Sequence, residues 1–313
     1  MAVFVRYGAR RLLVTLFVVW GALTVMFVAI RLAPGDPALL MLGPSATPQQ
    51  VEHMQREMGL DKSIVVQYLY YLARICQGEF GDSVRMSAPA MSLVMERLPI
   101  TLTLGALAMT LALVVSIPLG VFAGRRRGGH ADNAVSIGSL VGQALPSFWV
   151  GIMLILLFSR VLQILPSGGV RTPDALILPV IVLALPLVGA LVRLVRTGLL
   201  DVMGESYIRT ARSKGLPEGA VVYRHAVRNT MLPVVTVAGL QAGELLSGMV
   251  IVEVVFAVPG LGRLLVDSIL YRDYATVQAA ILVVAAIYAL TNLVVDLLYG
   301  VLDPRIRIAE ATA

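Results

Sequence analysis

Residues 193–233 read RLVRTGLLDVMGESYIRTARSKGLPEGAVVYRHAVRNTMLP. This basic, water-compatible stretch lies between two long apolar stretches, in a chain whose other parts are typical of a membrane-embedded protein. Its helix and turn signals predict an ordered segment, and an ordered segment of this length predicts a binding partner. The pattern therefore indicates a membrane subunit that is driven by something outside the membrane.

The composition also indicates a membrane protein. Of the 313 residues, 58% are hydrophobic and 14% are charged, whereas a soluble domain is typically about 25% charged. The net charge of +6 does not indicate nucleic-acid binding, because the basic residues follow loop positions instead of forming one stripe. The single Cys76 permits no intrachain disulfide, and the three histidines (His53, His130, His225) lie too far apart to predict a metal site.

Six apolar stretches are long enough to cross a bilayer, which takes about 20 residues. The first stretch is not interpreted as a cleaved signal peptide, because its apolar run is long and a poor cleavage site follows it. Prolines in or near the second, third and fourth stretches, among them Pro146 and Pro186, predict kinked or broken helices. The predicted transmembrane helices cover residues 12–30, 98–124, 134–159, 175–196, 231–257 and 274–302.

The distribution of Lys and Arg predicts the orientation of these spans. Basic residues precede the first span, follow the second, fill the loop after the fourth and end the chain. Positive charge in short loops marks the cytoplasmic side. The rule places residues 1–11, 197–230 and 303–313 in the cytoplasm and residues 31–97 outside, in a multi-pass protein with both termini cytoplasmic.

The outside segment 31–97 is predicted to be helical. Thr47, Pro48 and Gln50 form a capping-box start for one short helix. A second, amphipathic helix is predicted from about Ile64 to Gln77. Two interpretations stay open: a small helical cap that contacts substrate or a delivery protein, or a packed lid over the helix ends.

The cytoplasmic segment 197–230 is predicted to hold two short helices, from about Leu199 to Lys214 and from about Pro217 to Asn229. Gly215 lies where a left-handed residue would close the first helix. The element would form a rigid handle at the membrane surface. The alternative is a basic amphipathic loop that lies on anionic lipid.

Eight short motifs follow one another in chain order: RLAPGDP (31–37), GEFGDS (78–83), ERLP (96–99), YIRTARSKGL (207–216), HAVRNTMLP (225–233), FAVPGLG (256–262), RDY (272–274) and DPR (303–305). Together they resemble the inner-membrane permease subunits of binding-protein-dependent ABC transporters of the dipeptide, oligopeptide and nickel type. The resemblance covers nearly the whole chain. It implies an all-α membrane protein with six transmembrane helices, similar to the permeases of type I ABC importers, with a small helical extracytoplasmic insertion between helices one and two.

The resemblance also implies partners in the bacterial inner membrane: a second homologous permease subunit, two ATPase subunits, an extracytoplasmic solute-binding protein and membrane lipid, but no nucleic acid. ATP and Mg²⁺ would be bound by the ATPases and no cofactor by this chain, which has no phosphate-loop motif and is not predicted to be an enzyme. Its cargo would be small peptides, or alternatively nickel or glutathione. The implied ATPase-coupling residues are Tyr207, Arg209, Thr210, Ala211, Arg212, Lys214, Gly215 and Leu216.

One departure limits this comparison with the wider superfamily, whose signature reads Glu-Ala-Ala, three residues, then Gly. Aligned on Gly215, this chain has Arg209, Thr210 and Ala211 instead. A docking role for the leading Glu is therefore not transferred.

Three acids lie inside predicted spans: Glu244, Glu253 and Asp296. Intramembrane acids usually face a cavity or a partner. They are candidates for the translocation path, where Glu244 would contact a cationic group, or they pair with neighbouring helices. A proton-coupled secondary transporter that uses them as relays is the rival function. An intramembrane hydrolase is disfavoured, because no His-Glu-x-x-His or Gly-x-Ser-x-Gly motif occurs.

Overall fold

The computed structural model describes residues 2–32, 46–57 and 61–302, and no strand occurs among them. The α-helices are α1 (Ala2–Leu32), α2 (Pro48–Glu57), α3 (Ile64–Cys76), α4 (Ala90–Arg125), α5 (His130–Ala144), α6 (Ser147–Leu154), α7 (Ile177–Met203), α8 (Ser206–Ser213), α9 (Glu218–Ala220), α10 (Val227–Val255), α11 (Leu261–Leu270) and α12 (Tyr274–Leu302). The π-helical segment Ile155–Val161 continues α6, a second π-helical segment, Val221–Ala226, precedes α10, and a 3-10 turn at Pro173–Leu176 precedes α7.

Among the described residues, five helices are long and apolar enough to cross a membrane, and one bent pair would make a sixth span. The five candidate spans are Arg10–Ala29, Ala90–Arg125, Pro173–Met203, Pro233–Val255 and Tyr274–Val295. The bent pair consists of His130–Ala144 and Ser147–Val161, which meet at 102°. It corresponds to the predicted third span.

The break in that span lies at the predicted proline. Leu145 has an extended backbone with ψ of 130°, and Pro146 precedes the first residue of α6. Proline disfavours the helical conformation of the residue before it and cannot donate a backbone hydrogen bond. Pro186, in contrast, lies inside the uninterrupted helix α7.

Several helix bounds differ from those predicted. Helix α4 begins at Ala90 instead of residue 98, and α11 was not predicted. The prediction of a helix from Leu199 to Lys214 is wrong, because Leu199–Met203 is the last turn of α7 and α8 starts only at Ser206. The prediction of a separate helix from Pro217 to Asn229 is also wrong, because the π-helix Val221–Ala226 runs into α10.

The chain divides into two compact units. The first comprises the described residues of Met1–Leu12, Ile100–Arg263 and Leu290–Ala313. Its core is built on α7, which packs against α5 and α10. Small residues permit this close packing: a Cβ on Gly189 of α7 would lie 2.4 Å from the carbonyl oxygen of Ser139 on α5. The side chains of α7 that the core encloses almost completely are Leu178, Val182, Leu191, Val195 and Leu199.

The second unit comprises Leu13–Pro99 and Leu264–Ala289, again as far as they are described. Here α3 packs against α1. The hydroxyl groups of Thr24 and Tyr68 lie 2.6 Å apart, and the hydroxyl of Tyr71 donates to the carbonyl oxygen of Leu23 at 3.3 Å. Burial raises the pKa of Tyr71 to about 12, so this hydroxyl stays protonated as a donor.

The predicted capping box of α2 is confirmed. The backbone N–H of Thr47 donates to Oε1 of Gln50 at 2.8 Å, and the backbone N–H of Gln50 donates to Oγ1 of Thr47 at 3.4 Å. Residues 33–45, 58–60 and 303–313 lie outside the described residues. The cytoplasmic tail and the motif at 303–305 belong to that part, as does most of the motif at 31–37.

Candidate functional site

The coupling segment is centred on α8, which is anchored by one apolar face. Ile208 is fully buried and Ala211 is 8% exposed, at the i, i+3 spacing that places two side chains on one side of a helix. They join a core that includes Val221 and Val222 of the following π-helix. Ala211 therefore anchors the segment from its buried side, and the coupling role of the segment stays a prediction.

Gly215 closes α8 as predicted. Its φ of +74° is left-handed, and its N–H donates to the carbonyl oxygen of Arg212 at 2.9 Å. A Cβ at Gly215 would meet no other atom within 4 Å. The requirement for glycine thus comes from the backbone conformation and not from crowding.

An ion pair spans the turn after Gly215. Nε and Nη2 of Arg212 donate to the two carboxylate oxygens of Glu218 at 3.2 and 2.7 Å. These hydrogen bonds raise the pKa of Arg212 and lower the pKa of Glu218. Both groups are exposed, so the pair orders the turn but contributes little to overall stability.

Two further contacts hold the segment to its surroundings. Nδ2 of Asn229 donates to the hydroxyl of Tyr207 at 2.7 Å and so links α8 to α10. The guanidinium of Arg125, at the end of α4, lies 5.9 Å from the ring centre of Tyr223. What remains exposed is a basic surface with apolar points, called the coupling surface below: Tyr207, Arg209, Thr210, Lys214, Gly215, Leu216 and Tyr223.

A buried ion pair near this segment was not predicted. Asp132, in the first turn of α5, is 2% exposed and receives both Nε and Nη2 of Arg196 on α7, the latter at 2.7 Å. The backbone N–H of Gly128 donates to the same carboxylate at 2.9 Å. Arg196 is the last residue of the predicted fourth span, and no motif connects it with an acid 64 residues away.

Glu253 pairs with neighbouring elements, which is the second of its two interpretations, and its path role stays a prediction. It is fully buried and accepts a hydrogen bond from Oγ1 of Thr101 at 2.6 Å. It also accepts the backbone N–H of Arg263 at 3.1 Å, in the first turn of α11, while the backbone N–H of Leu261 donates to Oγ1 of Thr101 at 2.8 Å. A Cβ on Gly260 would overlap the Glu253 carboxyl group. The motif at 256–262 therefore folds around a buried carboxyl group that caps a helix.

Glu244 is exposed on α10 and lies on the same face as Leu240, Ser247 and Ile251. Glu244 and the buried Glu253 thus lie on opposite faces of one helix. Asp296 lies on α12, but its side chain is outside the described part of the structure. The path role of Glu244 and of Asp296 stays a prediction.

Two family models match this chain over most of its length. The "Binding-protein-dependent transport system inner membrane component" model matches residues 116–308. The "Binding-prot-dependent transport system membrane comp, N-term" model matches residues 4–105. The chain belongs to this family of binding-protein-dependent transport permeases. The resemblance that the eight motifs carry is confirmed.

Named relatives of this permease agree with the family assignment. The chain is 40% identical to the oligopeptide transport system permease protein AppB of Bacillus subtilis over 312 residues, which cover 96% of this chain and 99% of AppB. It is 39% identical to the dipeptide transport system permease protein DppB of Escherichia coli over 320 residues, which cover 92% and 94% of the two chains.

A solved structure of the inward-facing methionine ABC transporter MetNI contains a chain with the same fold. The TM-score is 0.57 at 22% identity, and the match covers 70% of this permease and 100% of that chain. The predicted fold class, an all-α membrane protein similar to type I ABC importer permeases, is therefore confirmed. The side of the membrane on which residues 31–97 lie stays a prediction.

Proposed function

We propose that this permease moves short peptides across the bacterial inner membrane, driven by ATP that separate subunits hydrolyse. The observation that carries the proposal is the coupling surface, which is exposed and basic but rests on buried anchors. An element that only lay on lipid would need an apolar face turned outward. Here Ile208 and Ala211 are turned into the protein, and the exposed face carries the charges.

The same anchors explain how a movement of α8 would reach the membrane helices. Two residues, Gly204 and Glu205, separate α8 from the end of α7. On the other side, Val221 and Val222 lie in the π-helix that continues into α10. A force on α8 therefore acts on two spans at once. Because Arg196 on α7 pairs with Asp132 on α5, a movement of α7 would also move α5.

The proposed partners follow from the separation of transport, in this chain, from ATP hydrolysis, in other subunits. Two ATPase subunits would bind ATP and Mg²⁺ and dock on the coupling surface, and a second permease subunit, homologous or identical, would complete the membrane part. An extracytoplasmic binding protein would deliver the cargo. The coupling surface and both termini then lie in the cytoplasm, as the distribution of basic residues predicts. ATP and the loaded binding protein would each favour one of two arrangements of the same helix bundle.

The cargo is proposed from the relatives. The names of AppB and DppB state oligopeptide and dipeptide transport, which favours peptides over nickel or glutathione. Glu244 is the proposed contact for a cationic group, such as a peptide amine, because it is exposed at the middle of a candidate span. In the assembled transporter, Glu244→Gln should lower peptide uptake. Unchanged uptake would contradict the path role.

The first test is purification of the full chain from native membranes in mild detergent, with mass spectrometry of its partners and an ATPase assay. Co-purification of a homologous membrane subunit and phosphate-loop ATPases is expected. The complex, placed in vesicles with its binding protein, should take up labelled trialanine only when ATP is supplied. A chain that purifies alone and moves solute along a proton gradient would refute the proposal.

A pair of glycine variants tests the coupling role. Gly215→Val forces a β-branched residue into a left-handed backbone, whereas Gly219→Val lies in similarly open space without that constraint. Gly215→Val is expected to uncouple ATP hydrolysis from uptake while the spans stay folded, and Gly219→Val is expected to leave them coupled. Full uptake by the Gly215→Val complex would refute the assignment of this segment.

A further inference from the structure

Two long helices of the first unit, α7 and α10, form an antiparallel pair. A Cβ on Gly248 of α10 would lie 3.8 Å from Cδ2 of Leu183 on α7. Toward the other end of the pair, a Cβ on Gly198 of α7 would lie 3.0 Å from Cγ2 of Thr230 on α10. These two contacts determine which residues of the two helices lie at the same level.

One side of this helix pair carries a charged residue from each helix. Helix α4 packs on the opposite side, where two of its glycines meet Val195 of α7 and Met249 of α10. At about 100° per residue, Arg193 is turned roughly 160° away from Val195 on α7. By the same spacing, Glu244 is turned roughly 140° away from Met249 on α10. Arg193 and Glu244 are both exposed and therefore share the groove between α7 and α10 that faces away from α4, called the charged groove below.

Arg193 carries a positive charge that no acid among the described residues neutralises. Its Nη2 donates to the side-chain oxygen of Gln143 on α5, which is uncharged. Arg196, one turn further along α7, differs because it is paired with the buried Asp132. A guanidinium has more donors than the one bond to Gln143 uses, so Arg193 keeps donors for a further acceptor.

Glu244 is the opposite charge of the groove. It lies at the middle of the candidate span Pro233–Val255, and in the described part of the chain no residue forms a hydrogen bond or an ion pair with it, Arg193 included. An acid inside a span usually faces a cavity or a partner. The charged groove thus presents one cation and one anion that are not bonded to each other.

The two charges lie at about the same depth in the membrane. By the register of α7 and α10, Glu244 lies opposite Pro186. Gln143 accepts the hydrogen bond from Arg193 and donates from Nε2 to the carbonyl oxygen of Pro186 at 3.5 Å. The guanidinium is therefore held close to the level of Pro186. Side chains of a helix lean toward its N-terminus, so in an antiparallel pair Arg193 and Glu244 lean toward each other.

We propose that the charged groove holds a short peptide by both of its ends, with Arg193 binding the carboxylate and Glu244 binding the amine. This inference rests on the proposed function. Arginine forms paired, charge-assisted hydrogen bonds with a carboxylate. Packed helix axes lie about 8–10 Å apart and an extended chain spans about 3.3–3.6 Å per residue, so roughly two or three residues bridge the groove. Arg193 therefore selects cargo with a free carboxyl end.

Uptake by the assembled transporter in vesicles, with ATP and its binding protein, tests this assignment. Labelled trialanine is compared at low concentration with trialanine amide, which lacks the carboxylate, and with N-acetyl-trialanine, which lacks the amine. The variants are Arg193→Gln and Glu244→Gln. Arg160→Gln is the charge-matched control for the first, because Arg160 is an exposed arginine of the same unit in the π-helical segment Ile155–Val161, outside α7 and α10.

The measured quantity is the ratio of the uptake rates of two peptides by the same complex. Every complex receives its peptides from the same binding protein, so the preference of that protein cancels when the ratio is compared between wild type and variant. A change in the ratio therefore reports the membrane subunit alone.

Arg193→Gln should lower the ratio of trialanine to trialanine amide about tenfold, because it removes a hydrogen bond between charged groups. Trialanine uptake should fall and uptake of the amide should stay unchanged, which also shows that the variant complex is assembled. If Arg193→Gln does not assemble, Arg193→Lys replaces it, and the ratio should fall less because lysine keeps the charge without the paired bonds. Glu244→Gln should lower the ratio of trialanine to N-acetyl-trialanine, and Arg160→Gln should change neither ratio.

Two results would overturn the proposal. If the wild type takes up trialanine and the position-193 variant has an unchanged ratio of trialanine to its amide, Arg193 does not bind the carboxylate. If Arg193→Gln and Glu244→Gln each slow all three peptides equally, the two residues pair with each other during transport and not with the cargo. A wild-type complex without ATP-driven trialanine uptake would instead refute the proposed function, so the two failures are distinguishable.

Discussion

Replacement of Thr101 by valine should destabilise the permease far more than a surface substitution does. Valine has nearly the shape of threonine, so the change removes the hydroxyl and leaves the packing intact. That hydroxyl donates to Glu253 at 2.6 Å and accepts the backbone N–H of Leu261 at 2.8 Å. Thr101 is 4% exposed and Glu253 is fully buried, so water does not replace either bond.

The size of the effect follows from these two bonds. Each buried polar group that is left without a partner, here the Glu253 carboxyl oxygen and the Leu261 N–H, costs roughly 1–3 kcal/mol. The two losses affect one network and do not add fully, so the free energy of unfolding should fall by roughly 3–5 kcal/mol. The N-terminal turn of α11 should loosen first, because Leu261 is its first residue.

The assay is unfolding of the purified permease in mixed micelles, with hydrogen exchange at the Leu261 amide. Thr110→Val is the matched control on the same helix, because Thr110 is exposed and its hydroxyl bonds only to the carbonyl oxygen of Ala106 in its own turn, at 2.7 Å. The control should change stability by less than about 0.5 kcal/mol. The capping role of Glu253 would be refuted if Thr101→Val lowered the free energy of unfolding no more than the control does and the Leu261 amide exchanged no faster than in the wild type.

Three further predictions concern the coupling segment and the helices that support it. Asp132→Asn leaves a partly buried guanidinium without its counter-charge and should lower the free energy of unfolding by roughly 2–4 kcal/mol; an unchanged thermal midpoint would contradict this. Gly189→Ala places a Cβ against the backbone of α5 and should cost roughly 1–3 kcal/mol, while Gly138→Ala, in open space, should be neutral in the same unfolding assay. Because the pKa of Glu218 is lowered in the folded state, its ion pair is present at neutral pH and is lost as the pH falls through that lowered pKa. The Gly215 amide should then exchange faster than base chemistry alone predicts, and Glu218→Gln should abolish this difference; a pH profile that the variant shares with the wild type would speak against the pair.

The elements that could be predicted from the sequence are those that local chemistry determines. The span Tyr274–Leu302 agrees with its prediction because its apolar run ends at polar residues on both sides. The capping box at Thr47, the break at Pro146 and the left-handed Gly215 each follow from residues within one helical turn. Such signals depend on short-range sterics and hydrogen bonds, which a single sequence contains in full.

Helix ends in the coupling segment were missed for a physical reason. Hydropathy detects only the apolar part of a helix. The helix itself extends as far as its backbone hydrogen bonds continue. Charged residues such as Arg224 and Arg228 end the apolar run, yet Val221 and Ala226 are buried and the helical backbone continues into α10. The apolar run that marks the span therefore starts several residues after the helix starts.

Long-range polar pairs could not be predicted at all. Thr101 and Glu253 are 152 residues apart, and Asp132 and Arg196 are 64 apart. In the sequence, each of these residues looks like an ordinary helix residue. Only the packing of α5 on α7 brings Asp132 to Arg196, and only the packing of α4 near α11 brings Thr101 to Glu253. Conversely, the RDY and GEFGDS motifs carry the family resemblance, but the hydrogen bond between Ser83 and Asp273 that joins them is visible only in the structure.

The two acids of α10 show how helical spacing and burial together determine a role. At about 100° per residue, nine residues turn a helix by about half a revolution beyond two full turns, so Glu244 and Glu253 point to opposite sides. Because Glu253 is enclosed by Thr101 and the start of α11, the opposite face is the one that carries exposed Glu244. A carboxylate at the middle of a span is costly against lipid. The face of α10 that carries Glu244 must therefore meet protein or water in the assembled transporter, and Glu244→Leu should allow that face to tolerate lipid while peptide uptake is lost.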